Sequence, residues 1–263
     1  MGILAKVGHP GASLDDAYIH FQYARAIAEG HPLEFEKGEP ITSGSTSLLW
    51  PALLAPFWAL GARDDAILWP AWVISFTALA ALAWEAFHLT EGLAGRVAAV
   101  GAGAMTVAFG GLLWCAASGM EVVPFAWAIA RASRRASEWA EGERRTETAP
   151  WARALELVVL AWTSALFRPE GAITALFVAI TLAIFARDGS RRRRLPSIAA
   201  ASAVVAVPIL LWAFTGSPRS TTAVAKLLIG NPYYVGPALA EKVAEHARQL
   251  AGDLLNGEIF SAE

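Results

Sequence analysis

The chain has 263 residues, 56% of them hydrophobic and only 17% charged, with a mean hydropathy of +0.44 and a formal net charge of −2. Apolar content this high with so little charge points to lipid as the main solvent, and the near-zero net charge argues against a nucleic-acid partner. The single Cys115, inside an apolar run, excludes an intramolecular disulfide and a cysteine-based metal site.

In chain order, Met1 to Ser13 hold no apolar stretch long enough for a signal peptide. Leu14 to Glu29 is an amphipathic stretch that opens on Asp15-Asp16 and stops at Gly30, the position of a helix C-cap. Leu48 to Ala62 is apolar but too short to cross a bilayer and is disturbed by Pro51 and Pro56, which predicts an interfacial or re-entrant helix. A spanning helix needs about 20 apolar residues. Ala66 to Trp84, Val97 to Met120 and Leu195 to Pro218 satisfy this without a single charge. Ala154 to Phe167 and Gly171 to Ala186 are shorter and flank Arg168-Pro169-Glu170, as a helical pair with a polar break. Val122 to about Ala140 is interrupted by Arg131, Arg134 and Arg135, which are expected to snorkel towards one interface. The expected fold is therefore all-α and polytopic, with about six spanning helices plus juxtamembrane helices on the outer face. Residues 1–65 form an outer-face region, 66–216 the transmembrane region, and 217–263 an outer-face segment whose part after Pro237 reads as a charged amphipathic helix.

Basic residues set the orientation, because cytoplasmic loops retain them. Arg131, Arg134, Arg135, Arg144, Arg145 and Arg153 fall in one loop, and Arg187 with Arg191 to Arg194 in another. Placing both inside leaves the segment up to Asp65, the Ser118–Glu121 turn, Arg168–Glu170 and everything after Ser217 outside. The expected location is the inner (plasma) membrane, multi-pass, with the active face extracytoplasmic and membrane lipids as surroundings.

The polar positions on that outer side each admit two explanations. Asp15 and Asp16 suit a helix N-terminus, where Ser13 and Asp16 approximate a capping box; alternatively one carboxylate accepts a proton from a hydroxyl and the pair holds a divalent metal. His20 lies one helical turn beyond Asp16 and shares its face. Glu121 is either an exposed loop acid or a cavity group, since carboxylates near lipid face water or protein. Arg168-Pro169-Glu170-Gly171 is either a hairpin turn or a cavity feature, and Lys226, among nearby hydroxyls, is either an ordinary exposed lysine or a phosphate ligand.

The order of Asp15-Asp16-Ala17-Tyr18-Ile19, Tyr23-Ala24-Arg25, Ala28-Glu29-Gly30-His31 and Gly38-Glu39-Pro40 resembles the first outer loop of GT-C fold glycosyltransferases. Gly44-Ser45-Thr46-Ser47-Leu48-Leu49-Trp50, Ser118-Gly119-Met120-Glu121, Arg168-Pro169-Glu170-Gly171 and Ala225-Lys226 follow in the order seen in the bacterial polyprenyl-phosphate-sugar-dependent members. The resemblance implies a membrane glycosyltransferase that moves a hexosyl or pentosyl group from a polyprenyl-phosphate-linked donor to a hydroxyl of a glycan, lipid or protein acceptor. It implies Asp15 or Asp16 as catalytic base, Lys226 and Arg168 at the donor phosphate, and Glu121, Glu170, Tyr18 and His20 lining the cavity. A divalent metal of unidentified kind, held by Asp15 and Asp16, is also implied. Such enzymes carry a spanning helix before the paired aspartates and further helices after this region, so the resemblance implies a chain truncated at both ends, or one completed by a second polypeptide. The alternative class is a transporter or non-catalytic membrane subunit with Arg168, Glu170 and Glu121 along a path.

Overall fold

The structure, a computed structural model, describes residues 11–42, 44–144, 151–185, 191–216 and 237–256. Its elements are α1 (Asp16–Ala28), α2 (Leu49–Ala59), a 3₁₀ turn (Asp64–Ile67), α3 (Leu68–Ala108), α4 (Gly110–Ala117), α5 (Val122–Arg144), α6 (Trp151–Phe167), α7 (Gly171–Ile184), α8 (Arg191–Thr215) and α9 (Pro237–Asn256). The described residues contain no strand.

Two stretches are long and apolar enough to cross a membrane, Asp64–Ala108 and Arg194–Thr215; Leu49–Ala59 and Gly171–Ile184 are shorter apolar helices. The first stretch is not straight. Gly95 sits at φ 82° and ψ 175°, a backbone state open essentially to glycine alone, and breaks α3 into two arms. Gly103 on the second arm passes close to Ala83 O on the first, and Trp72 Nε1 donates to Ala117 O at 2.8 Å. The arms therefore run antiparallel, so Ala66–Trp84 and Val97–Met120 lie on separate legs of one hairpin, the second completed by α4.

The expected Val122–Ala140, Ala154–Phe167, Gly171–Ala186 and Leu195–Pro218 segments lie along α5, α6, α7 and α8. Their core is built from small residues at helical spacing: Ala128, Ala132 and Ala136 on α5, Ala154, Ala161 and Ala165 on α6, Ala175 and Ala179 on α7, Ala200 and Ala203 on α8. Small residues allow backbones to approach closely, the packing mode of helices that have no hydrophobic drive between them. Leu157, Val178 and Leu182 fill the space between them, while Ile173, Ile184 and Trp212 on α7 and α8 are exposed. Pro196 and Pro208 are accommodated within α8.

Arg131, Arg134 and Arg135 do not snorkel. Arg131 donates to Glu85 Oε1 (2.9 Å) and to Glu156 Oε1 (2.9 Å from Nε), and Arg135 Nε also reaches Glu156 Oε1, at 3.0 Å. Arg134 pairs with Glu85 and Glu138, and Arg135 Nη1 donates to Glu138 Oε2 at 2.6 Å. Three guanidiniums and three carboxylates thus cancel at the junction of α3, α5 and α6, around a Glu85 side chain only 2% exposed. This neutral network lets α5 keep its arginines inside an apolar bundle, because ionisable groups in apolar surroundings persist when they pair with one another.

Removing one member should expose that balance. Glu85→Gln leaves Arg131 and Arg134 short of counter-charge and is expected to cost about 3–5 kcal/mol, read as a drop in Tm of the detergent-solubilised chain, while Glu91→Gln on the exposed side of α3 changes it little. Equal melting of the two variants would mean that the network does not hold the bundle together.

Candidate functional site

Helix α1 owes its placement to an alternation of surfaces. Ala17, Phe21 and Ala24 are buried against Trp50, Leu54 and Leu68, which pins one face to α2 and the start of α3. Its N-cap is Asp15, whose Oδ1 accepts from Asp16 N at 3.0 Å, so the cap expected from Ser13 comes two residues later. Its other end closes as expected on Gly30 (φ 85°), with Gly30 N donating to Ile27 O and His31 N to Ala26 O, the paired bonds of a Schellman cap. Successive helical residues are about 100° apart around the axis, so the two aspartates face different ways. Asp16 joins Ile19, His20, Ser45, Thr46 and Met120 around a small pocket, whose lining does not include Asp15.

The Gly44–Trp50 segment stitches three parts of the chain to this pocket. Gly44 N donates to Tyr23 Oη (2.9 Å), and a Cβ at Gly44 would meet that oxygen at 2.7 Å. Leu48 N donates to Leu166 O at the end of α6 (3.0 Å), and Trp50 Nε1 to Gly119 O (3.0 Å). Gly119 is at φ 83°, with Phe21 and Leu68 leaving no room for a side chain. That turn delivers Glu121 inward. At the facing end of α6, a Cβ on Gly171 would lie 2.0 Å from Ser164 O, so α7 starts tight against α6 and Arg168 is projected from the bend between them.

Glu121 has no exposed surface. Arg168 Nη1 donates to its Oε1 at 3.0 Å, and His20 Nε2 approaches its Oε2 at 3.3 Å without the alignment of a hydrogen bond. Ser45 decides how His20 is protonated. Its hydroxyl has one proton, which goes to Ser47 O at 2.6 Å, so towards His20 Nδ1 (2.8 Å) it acts as acceptor. Neutral His20 therefore carries its proton on Nδ1 and turns an unprotonated Nε2 towards Glu121. Burial holds the His20 pKa below its ordinary 6.5; the carboxylates of Glu121 and Asp16 oppose this, and Arg168 reinforces it.

Asp16, His20, Glu121 and Arg168 thus gather at one end of the bundle, although α1, the Gly119 turn and the α6–α7 bend are far apart in sequence. Glu170 is on the exposed rim, its Oε2 3.5 Å from Arg168 Nε. Tyr18 turns away from the pocket, its hydroxyl accepting from Ala12 N (3.2 Å), and lines a separate, larger cleft. Lys226 lies outside the described residues. Among those described, no three His, Cys, Asp or Glu side chains form a metal-holding group. Asp15 serves as the α1 cap through Oδ1. Ser45, Tyr23 and Trp50 also build the site; the sequence reading quoted them within the family blocks without giving them a role.

Two outcomes follow from this geometry. Glu121→Gln and Arg168→Met should be strongly non-additive, with a coupling of about 0.5–3 kcal/mol in a double-mutant cycle of unfolding free energies; strict additivity would mean that the pair does not interact. Because the folded-state pKa of His20 is lowered, the stability it contributes is complete above pH 6.5 and is lost as pH falls below that value towards the folded-state pKa. His20→Asn, which keeps a donor towards Ser45, should flatten this acid-side loss in Tm measured from pH 7.5 down to 5; an unchanged slope would assign the loss to other groups.

No protein-family model, curated protein or solved structure matches the chain.

Proposed function

We propose that the chain is a multi-spanning membrane glycosyltransferase of GT-C type, which transfers a sugar from a polyprenyl-phosphate donor to an acceptor hydroxyl at the extracytoplasmic face. The observation that carries this reading is the meeting of Asp16, His20, Glu121 and Arg168 at one end of a helical bundle whose other charged cluster is neutral. A proton acceptor and a fixed cation stand together there at the edge of an apolar environment.

Exposed tryptophans support the membrane placement. Trp69, Trp114 and Trp212 lie towards the end that carries Glu121, and Trp84 and Trp151 towards the opposite end. Arg194, at the start of α8, is exposed at the end opposite Glu121, in keeping with a cytoplasmic location for that end.

In the proposed reaction the acceptor oxygen forms a bond to the anomeric carbon as its proton passes to the Asp16 carboxylate. The bond from that carbon to the phosphate oxygen breaks, and the electron pair leaves with the polyprenyl phosphate. Arg168 offsets the charge that develops on the departing phosphate, which a preorganised cation in a water-poor site does effectively. Glu121 holds the guanidinium in place, and His20, braced by Ser45, packs beside the Glu121 carboxylate. No step is routed through a metal.

The test is transfer from a polyprenyl-phosphate sugar by the membrane-reconstituted protein. Asp16→Asn should lower kcat by about 10²–10⁴-fold, the range for loss of a general base. Asp15→Asn should act more weakly, through the α1 cap. Unchanged turnover in both variants would remove the catalytic assignment.

A further inference from the structure

A second concavity lies on the opposite side of α1 from the Asp16–His20 pocket. It encloses about 440 Å³ between Tyr18 and Gln22 of α1, Phe35 and Glu36 of the following loop, Trp58 of α2 and Asp64 of the 3₁₀ turn. That volume falls in the range of sites for small molecules, about 300–1,000 Å³. We infer that this cleft is the binding site for the sugar rings of a neutral glycan acceptor, an inference that rests on the glycosyltransferase reading.

The walls are built rather than incidental. Gln22 Nε2 donates to Phe35 O at 2.5 Å, Glu34 Oε2 accepts from Gly38 N at 2.9 Å, and Thr42 N donates to Leu33 O at 2.7 Å, which together fix the loop against α1. Opposite, Asp64 is held at φ 51°, a left-handed state that Asp tolerates better than most residues, and the turn is secured by Ala66 N donating to Arg63 O at 3.0 Å.

The chemistry of the lining selects the occupant. Tyr18 and Phe35 are 42% and 39% exposed, and Trp58 adds a third ring. Ring faces carry negative charge density and pack against the polarised C–H bonds of a sugar. The Gln22 side-chain carbonyl and the carboxylates of Glu36 and Asp64 are acceptors for hydroxyl groups. Glu36 and Asp64 stand on this lining beside Arg25, which is already paired with Glu29 (2.9 Å). Excess negative charge repels a phosphate-bearing donor and leaves a neutral polyhydroxyl compound as the matching ligand. Ile19 lines both this cleft and the Asp16–His20 pocket, so an occupant of the cleft is one side chain from the proposed base.

The experiment is saturation-transfer difference NMR on the full chain in nanodiscs, without donor. The probes are a panel of methyl hexopyranosides and methyl pentofuranosides set against the corresponding sugar 1-phosphates. At least one neutral glycoside should receive saturation at its C–H protons, with the signal reduced at least fivefold in Phe35→Ala and in the near-isosteric Glu36→Gln, and retained in Asp16→Asn. No signal from any glycoside, a signal equal in both cleft variants and the unsubstituted chain, or preferential binding of the phosphates would overturn the inference. Transfer assays separate the two ideas. Turnover with an acceptor KM indifferent to the cleft variants discards the cleft and keeps the transferase, whereas cleft-dependent glycoside binding with no turnover discards the transferase and keeps the cleft.

Discussion

A carboxylate with no exposed surface has to find its counter-charge inside the protein, and Glu121 finds it in Arg168. Everything around the site accommodates that pair. Gly119 bends the chain so that Glu121 points inward, Gly171 lets α7 close on α6 so that Arg168 is presented, and Trp50 locks the Gly119 carbonyl. His20 completes the enclosure, and through Ser45 the strand of chain before α2 is tied to the same centre. A buried ion pair of this kind is weak evidence for stability, since desolvation offsets much of its attraction. Its use here is to specify geometry: it fixes which turn faces which helix end.

Much of the helical layout was legible in the sequence because apolar length is a direct readout of burial in a low-dielectric medium. The uncharged runs at Ala66–Trp84 and Leu195–Pro218, and the short proline-containing run at Leu48–Ala62, correspond to α3, α8 and α2. Gly30 announced the end of α1 through its freedom to adopt positive φ. The charged cluster on α5 was read only in part. Arg131, Arg134 and Arg135 were visible as interruptions, but their partners Glu85 and Glu156 are on other helices, and a pairing across helices leaves no periodicity in any one of them.

The site was legible as a set of outward-placed polar blocks, and its internal arrangement was not. Asp15 and Asp16 look equivalent in sequence, yet helical rotation gives them different neighbours, and only Asp16 shares a pocket with His20. Glu121 left open whether it was an exposed loop acid or a buried group, and the answer depends on Arg168, 47 residues away. Tyr18, which the family resemblance grouped with His20, belongs to the opposite wall of α1. Local propensity determines where a helix starts; which face meets which partner is a property of the assembled bundle.

The break at Gly95 has a consequence for biogenesis. The chain reverses at Gly95 without leaving the helical state on either side, so under the proposed membrane reading the two legs would meet a bilayer as one folded hairpin rather than in succession. A reporter fused between them would not record the side on which a loop resides; it would pry apart the insertion unit itself.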